Sequence, residues 1–191
     1  MKRIALFLVP VLLGGCQALA RNDAAYSRSH DLPAGSRVVL DRALKMPVGR
    51  RSLHVQHGEV TRYRNLNIYD GYCELVLKTL SDTPRVIKPD TFTVTRFHQQ
   101  IDYTQSSMRT APNLRLVAMG GGNGDAEGDM GDVPFQSVMR LHSPRQPDVE
   151  RLTCTIWATP SEGDYLTVKE MQDTLKGVFT LKAAPSTGAA R

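Results

Sequence analysis

The chain has 191 residues, of which 23% are charged, and a formal net charge of +5. This length suits one domain with flexible ends and is too short for two independent domains of ordinary size. Lys2 and Arg3 account for two units of this net charge, so the rest of the chain carries a net charge of about +3. That small excess argues against nucleic acid as the partner.

The first sixteen residues have the layout of a secretory leader. A basic start precedes the apolar residues 4–13, and about ten apolar residues are too few to span a bilayer as a helix. Gly14 and Gly15 are small enough to enter a peptidase cleft. Cys16 follows them and provides a thiol that a lipid donor can alkylate.

The run Leu13-Gly14-Gly15-Cys16 resembles the lipobox of bacterial lipoproteins. The resemblance implies cleavage between Gly15 and Cys16, with fatty acyl chains attached to the cysteine. Gln17, in place of an aspartate, implies export to the outer membrane, with the domain in the periplasm. The alternative, a chance cysteine in an ordinary signal peptide, requires several features to coincide. We therefore expect a signal peptide over residues 1–15 and a lipid anchor at Cys16.

The residues after the leader predict one β-rich domain between flexible ends. Residues 16–36 and 183–191 are small and polar, which predicts a tether and a disordered tail on either side of a domain over 37–182. Within the domain, β-branched and alternating residues predict strands over 37–40, 53–57, 72–77, 91–103, 114–119, 137–141, 152–157 and 178–181. Gly58-Glu59 is expected to be a turn. The pattern favours a β-sandwich or a partly open barrel of about seven to nine strands with one short C-terminal helix.

The helix is predicted over residues 168–176. Thr167 and Glu170 have the spacing of a capping box, and Gly177 suits the left-handed position that ends a helix. The face expected to pack on the sheet comprises Val168, Met171 and Leu175.

Two cysteines remain after Cys16 is assigned to lipid. Cys73 and Cys154 both lie in apolar, strand-like runs, and cysteines exported to an oxidising compartment usually pair. A bridge closing a loop of about 80 residues would stabilise the domain by roughly 4–5 kcal/mol on the chain-entropy model. Two buried free thiols are the alternative.

A second resemblance extends over most of the mature chain. It rests on Gln146-Pro147-Asp148-Val149-Glu150-Arg151-Leu152-Thr153-Cys154, Tyr165-Leu166-Thr167, Glu170-Met171, Tyr72-Cys73-Glu74 and Ile87-Lys88-Pro89-Asp90. These segments are similar to a group of uncharacterised proteobacterial outer-membrane lipoproteins. The resemblance implies no known activity and assigns no site residue.

A glycine-rich acidic segment over residues 120–132 is a candidate calcium site. Its possible oxygen ligands are Asp125, Glu127, Asp129 and Asp132, and calcium prefers such carboxylates. The pattern departs from an EF-hand loop, because Met130 occupies the glycine position and Gln136 stands in place of the closing glutamate. A solvated loop without metal is the preferred interpretation.

A band of basic residues is a candidate binding surface. It comprises Arg42, Lys45, Arg50, Arg51, Arg62 and Arg64, with Asp41 and Glu59 as its acidic members. Such a band would suit anionic headgroups, lipopolysaccharide or an acidic partner. Strands alternate their faces, however, so these residues need not converge, and an ordinary solvated surface is the alternative.

Catalytic and cofactor motifs are not apparent in the sequence. His54 and His57 are three residues apart, which on a strand points them to opposite faces. There is no His-Glu-x-x-His, no Gly-x-Ser-x-Gly and no phosphate-binding glycine pattern. We therefore expect no catalytic residues, no cofactor and no resident metal.

These observations predict a lipid-anchored envelope protein that acts by binding or by structural association. The expected partner, besides the membrane, is another envelope protein or polymer. A periplasmic inhibitor or chaperone-like binder and a hydrolase acting on envelope polymers are the alternatives. A hydrolase would need an acid, a base and a nucleophile gathered from distant parts of the chain.

Overall fold

Ten β-strands and one α-helix form the part of the chain that the computed structural model describes, residues 30–105 and 131–184. The strands are β1 (Arg37–Leu40), β2 (Leu44–Met46), β3 (Ser52–Gln56), β4 (Glu59–Thr61), β5 (Tyr72–Leu77), β6 (Arg85–Ile87), β7 (Asp90–Ile101), β8 (Val133–His142), β9 (Val149–Ala158) and β10 (Phe179–Lys182). The helix, α1, is Val168–Leu175, and a short 3-10 turn covers Tyr63–Asn65.

Eight strands form one antiparallel sheet in the order β10-β1-β7-β8-β9-β5-β3-β4. The sheet curls into a half-barrel. β2 and β6 pair with each other in a separate two-stranded ribbon. The predicted mostly-β fold with a short C-terminal helix is confirmed, and the architecture corresponds to the partly open barrel rather than the sandwich.

The main core fills the concave face of the half-barrel. Alternation along β5 turns Cys73, Leu75 and Leu77 into this core. On β7, the register with β8 shifts between Val94 and Arg96. This bulge changes the parity of the strand, so that Val94 and the partly buried Phe97 both face the core although they are three residues apart.

The helix α1 packs on the concave face through the predicted side chains. Val168, Met171 and Leu175 are all buried in the main core. The capping box is complete, because the Thr167 hydroxyl accepts from the Glu170 backbone N–H while the Glu170 carboxylate accepts from the Thr167 N–H. The sequence therefore predicted both the start and the buried face of this helix.

The same helix covers the edge of the sheet at β10. The Gln172 side chain donates from Nε2 to the Phe179 carbonyl at 3.0 Å and accepts from the Leu181 N–H at 2.6 Å. One side-chain amide thus bonds β10 on its outer side much as a neighbouring strand would. An exposed sheet edge invites pairing with other chains, and Gln172 occupies this one.

The other end of the sheet is a tight hairpin between β3 and β4. His57 and Gly58 form its two-residue loop, with φ angles of 52° and 77°, as in the type I′ turns that match strand twist. The predicted turn at Gly58-Glu59 was therefore one residue too late, since Glu59 already pairs with Gln56. The Gly58 N–H donates to the Thr174 carbonyl of α1 at 2.9 Å.

The predicted disulfide is confirmed. Cys73 of β5 and Cys154 of β9 are directly opposed in the sheet, with a Cα–Cα distance of 4.0 Å and an S–S distance of 2.05 Å. Both residues are buried in the main core. The bridge therefore links neighbouring central strands that are 81 residues apart in the chain.

The packed domain begins before Arg37, where the sequence placed its boundary. Leu32 is fully buried in the main core, and the Gly35 N–H donates to the Val94 carbonyl. The Val94 N–H in turn donates to the Ser36 carbonyl. Residues 30–36, assigned to the tether because they are small and polar, are therefore attached to β7 by backbone hydrogen bonds and one buried leucine.

Candidate functional site

The basic band divides into two groups in the structure. Arg42, Lys45, Arg62 and Arg64 line a groove between β2 and β4, which we call the basic slot. Arg50 and Arg51 do not line it. The slot exists because the ribbon strand β2 lies beside β4, the last strand of the main sheet.

The basic slot consists of two adjoining cavities of about 410 and 420 Å³. The first is lined by Lys45, Pro47, Leu53, Val60, Thr61, Arg62, Arg64 and Asn65. The second is lined by Arg42, Ala43, Leu44, Lys45, Glu59 and Val60. Lys45 and Val60 border both cavities, so the two form one elongated groove with a partly apolar floor and basic walls.

The positive charges of the basic slot are not neutralised by ion pairs with described residues. Arg42 donates from Nη2 to the Gly58 carbonyl at 3.2 Å, and this is its one hydrogen bond within residues 30–105 and 131–184. Lys45, Arg62 and Arg64 are exposed. Glu59 is the single carboxylate among the slot-lining residues that the structure describes. The slot therefore presents four cations against one anion and favours an anionic ligand.

The backbone of β4 also faces the slot. Because the β3–β4 loop has two residues, Gln56 and Glu59 form the hydrogen-bonded pair that closes the hairpin. Val55 and Val60 are then the next, non-hydrogen-bonded pair. The Val60 N–H and carbonyl consequently point away from β3, and Val60 as a whole residue is 41% exposed.

Arg51 belongs to a different cluster, centred on Glu150. The Glu150 carboxylate accepts from Arg140 at 2.5 Å and from Arg151 at 3.0 Å, and it lies 3.8 Å from Arg51 Nη2. Burial alone would raise the pKa of Glu150, but the hydrogen bonds and charges of these arginines outweigh it and lower the pKa. Because these cations already contact a shared carboxylate, the cluster is a weaker candidate than the basic slot for binding an external anion.

The histidines of the candidate region are separated. His54 faces away from the core, with Nε2 3.6 Å from Glu74 Oε1, while His57 lies in the hairpin loop 3.7 Å from Asp70. The pKa of His54 is lowered, mainly because the ring is buried. The Glu74 carboxylate opposes this shift, and the positive charge of Arg50 adds to it. Each histidine has its own carboxylate neighbour, and the two do not share a ligand position.

The calcium hypothesis falls mostly on residues outside the described ranges. Asp125, Glu127 and Asp129 lie between the two described segments, and Asp132 is half-buried just before β8. Within the described segments, no group of three or more His, Cys, Asp or Glu side chains is placed to hold a metal ion. The calcium site stays a hypothesis.

Cys16 and the predicted strand over 114–119 also lie outside the described residues.

In the part of the chain that the structure covers, no helix is long and apolar enough to cross a membrane. No protein-family model, curated protein or solved structure matches the chain.

Sequence reasoning missed the apolar and backbone components of the site. Val60, Leu53 and Pro47 border the slot beside the basic residues, and nothing in their spacing marks them as neighbours. The one available signal was the pair of basic runs, 42–45 and 62–64, on either side of a predicted strand and turn.

Proposed function

We propose that this chain is a lipid-anchored protein of the cell envelope that binds an anionic envelope component in the basic slot. The observation that carries the proposal is the convergence of Arg42, Lys45, Arg62 and Arg64 on one groove with a single carboxylate. The leader supports anchoring, since its Leu-Gly-Gly-Cys run has the pattern of lipoprotein processing.

The groove suits binding by charge and shape. Four cations around a partly apolar floor raise the local concentration of an anionic partner and hold it with both electrostatic and apolar contacts. A membrane-attached protein needs little affinity for partners in the same compartment, because anchoring confines both to a thin layer. The function is association, and the slot side chains carry it.

Anchoring is tested by replacing Cys16. The Cys16→Ser variant should fail to acquire lipid and should appear as unprocessed precursor or as protein released from the outer membrane. Membrane fractionation with intact-mass measurement checks both. If Cys16→Ser partitions and processes as the wild type does, the anchoring part of the proposal is wrong.

Slot binding is tested by reversing charge inside and outside the groove. The Arg62→Glu/Arg64→Glu variant should lose partners captured from envelope extract by the lipidated wild type. The matched control is Arg37→Glu/Lys182→Glu, which makes the same charge change at an exposed pair on β1 and β10. Quantitative mass spectrometry should find the wild-type partners with the control and their loss with the slot variant. Equal capture by both variants would contradict the proposal.

A further inference from the structure

We propose that the occupant of the basic slot is an acidic polypeptide segment that binds in extended conformation and adds to β4 as a further strand. This inference rests on the proposed function, because it names the ligand class of the same slot. It is carried by three features of the described residues: an open strand edge, a groove alongside it, and cations on both walls.

The two ends of the main sheet are treated differently by the chain. At β10, the Gln172 amide bonds both the Phe179 carbonyl and the Leu181 N–H, so the outer side of that strand is occupied. At β4, no described residue donates to or accepts from the edge-facing backbone of Val60. The chain thus protects one edge of its sheet and leaves the other as a template for strand addition.

The groove beside β4 lies where an added strand would have to lie. Its walls are formed by residues of the segments 42–45 on one side and 59–65 on the other. The Val60 N–H and carbonyl point into it, as derived from the hairpin register. An extended peptide in this position would bond to Val60 through its own backbone and place alternate side chains on the apolar floor.

The charges select an acidic peptide. Arg42 and Lys45 come from one wall, Arg62 and Arg64 from the other. In an extended chain, side chains on the same face repeat every two residues, about 6.6–6.8 Å apart. A segment alternating acidic and apolar residues would therefore present its carboxylates to these cations. A phosphate-bearing polymer would engage the cations but would make no use of the Val60 edge or the apolar floor.

The test uses the lipidated full chain in zwitterionic detergent micelles and a fluorescent eight-residue peptide, four repeats of Glu-Val. Fluorescence anisotropy should show binding that weakens by at least about tenfold in Arg62→Glu/Arg64→Glu and is unchanged in the Arg37→Glu/Lys182→Glu control. Inorganic polyphosphate serves as the non-peptide anion. A Lys-Val peptide of the same length should not bind.

Backbone pairing is tested separately from charge. Val60→Pro removes the edge-facing N–H while leaving the hairpin hydrogen bonds and every charge in place, and proline is tolerated on strand edges. It should weaken peptide binding by about tenfold or more, whereas Val60→Thr should not. Two further peptides carry N-methyl groups on all glutamates or on all valines. In an added strand, the N–H groups of every second peptide residue face β4, so either the glutamate or the valine N–H groups would bond to it. At least one of the two N-methylated peptides should therefore lose binding.

The outcomes distinguish the two proposals. Loss of binding in Val60→Pro and with an N-methylated peptide supports strand addition. If both N-methylated peptides bind as tightly as the unmethylated peptide, strand addition is overturned, even if Val60→Pro fails to fold. Binding of polyphosphate but not of the Glu-Val peptide, abolished by Arg62→Glu/Arg64→Glu, overturns the peptide inference and leaves an anion-binding slot. If neither probe binds, both proposals are wrong.

Discussion

Gly58 shows how one backbone position joins two elements. Its φ of 77° is required by the two-residue hairpin loop, and its N–H donates to the Thr174 carbonyl of α1. A side chain at this position would place its Cβ 2.3 Å from the Lys176 carbonyl oxygen. The residue therefore needs glycine both for its conformation and for its close approach to the helix.

We expect Gly58→Ala to destabilise the protein more than Gly49→Ala. Gly49 also has a positive φ, 67°, but a Cβ there would meet nothing within 4 Å. Gly49→Ala should therefore lower the free energy of unfolding by about 1–2 kcal/mol, from backbone conformation alone. Gly58→Ala should lower it further, because the new methyl group must also displace the end of the helix. Urea unfolding measures both. Equal losses of stability in the two variants would contradict the prediction, since they would mean that the helix end moves without an energetic penalty.

Asp90 is a buried carboxylate that fixes the start of β7. Its side chain is 2% exposed and accepts from Ser143 at 2.6 Å, from Gln146 at 3.2 Å, from the Thr91 N–H and from Arg145. Burial opposes ionisation, but these hydrogen bonds prevail and lower the pKa of Asp90 below its usual 3.8. The ionised form is therefore favoured by the folded state.

This shift predicts acid sensitivity at Asp90. A carboxylate with a lowered folded pKa contributes stability above its unfolded pKa, near 4, and loses that contribution as the pH falls through the folded value. Asp90→Asn should lower the free energy of unfolding at pH 7 and flatten its dependence on pH below about 4. The control is Asp82→Asn, an exposed carboxylate without a hydrogen bond or ion pair to other described residues. Identical pH profiles for Asp90→Asn and wild type would contradict the prediction.

At the scale of elements, the sequence predicted those with strong local patterns. The strand around Cys73, the long β7 strand and α1 were found because alternation and capping are visible within a few neighbouring residues. The strands β2, β4 and β6 were missed. Each has only three residues, and β2 pairs with β6 about forty residues away, so no local pattern marks them.

Three substitutions in α1 compare the contributions of a core contact, an edge hydrogen bond and a surface ion pair to stability. Met171→Ala should cost about 2–5 kcal/mol, because the side chain is fully buried in the main core. Gln172→Ala should cost about 1–3 kcal/mol, since it leaves Phe179 and Leu181 without their edge partners. Lys169→Ala should cost the least of the three, because its pair with Asp173 is exposed to solvent. Chemical denaturation gives the order, and a larger loss for Lys169→Ala than for Gln172→Ala would show that the edge is not held by the amide.

At the scale of the whole molecule, the candidate site depends on contacts that sequence alone does not contain. The basic residues were visible, but only the position of β2 beside β4 brings four of them to the slot, while Arg51 lies at the Glu150 cluster. Arg50 and Arg51 look like the other members of the band, and only the fold separates them. The disulfide was predictable because the leader predicts an oxidising compartment and assigns Cys16 to lipid, which leaves two cysteines that can pair.

We expect the disulfide to set much of the stability of the whole domain. Removing it in Cys73→Ala/Cys154→Ala should cost about 2–5 kcal/mol, because the unfolded chain regains the freedom of an 81-residue separation. Urea unfolding with and without reductant checks this, and thiol labelling should detect no free cysteine before reduction of the mature wild type. A double variant as stable as the wild type would show that the strands need no bridge.

The side-chain cover on β10 has a further consequence for self-association. Polymerisation through sheet edges requires two complementary ends on every subunit, so that each copy both receives and offers a strand. With the β10 end occupied by Gln172, the main sheet has one open end, at β4, among the residues that the structure describes. Growth through the ends of the main sheet therefore stops at a two-fold pair, so a chain anchored as proposed would offer its open edge to a partner without seeding a fibre.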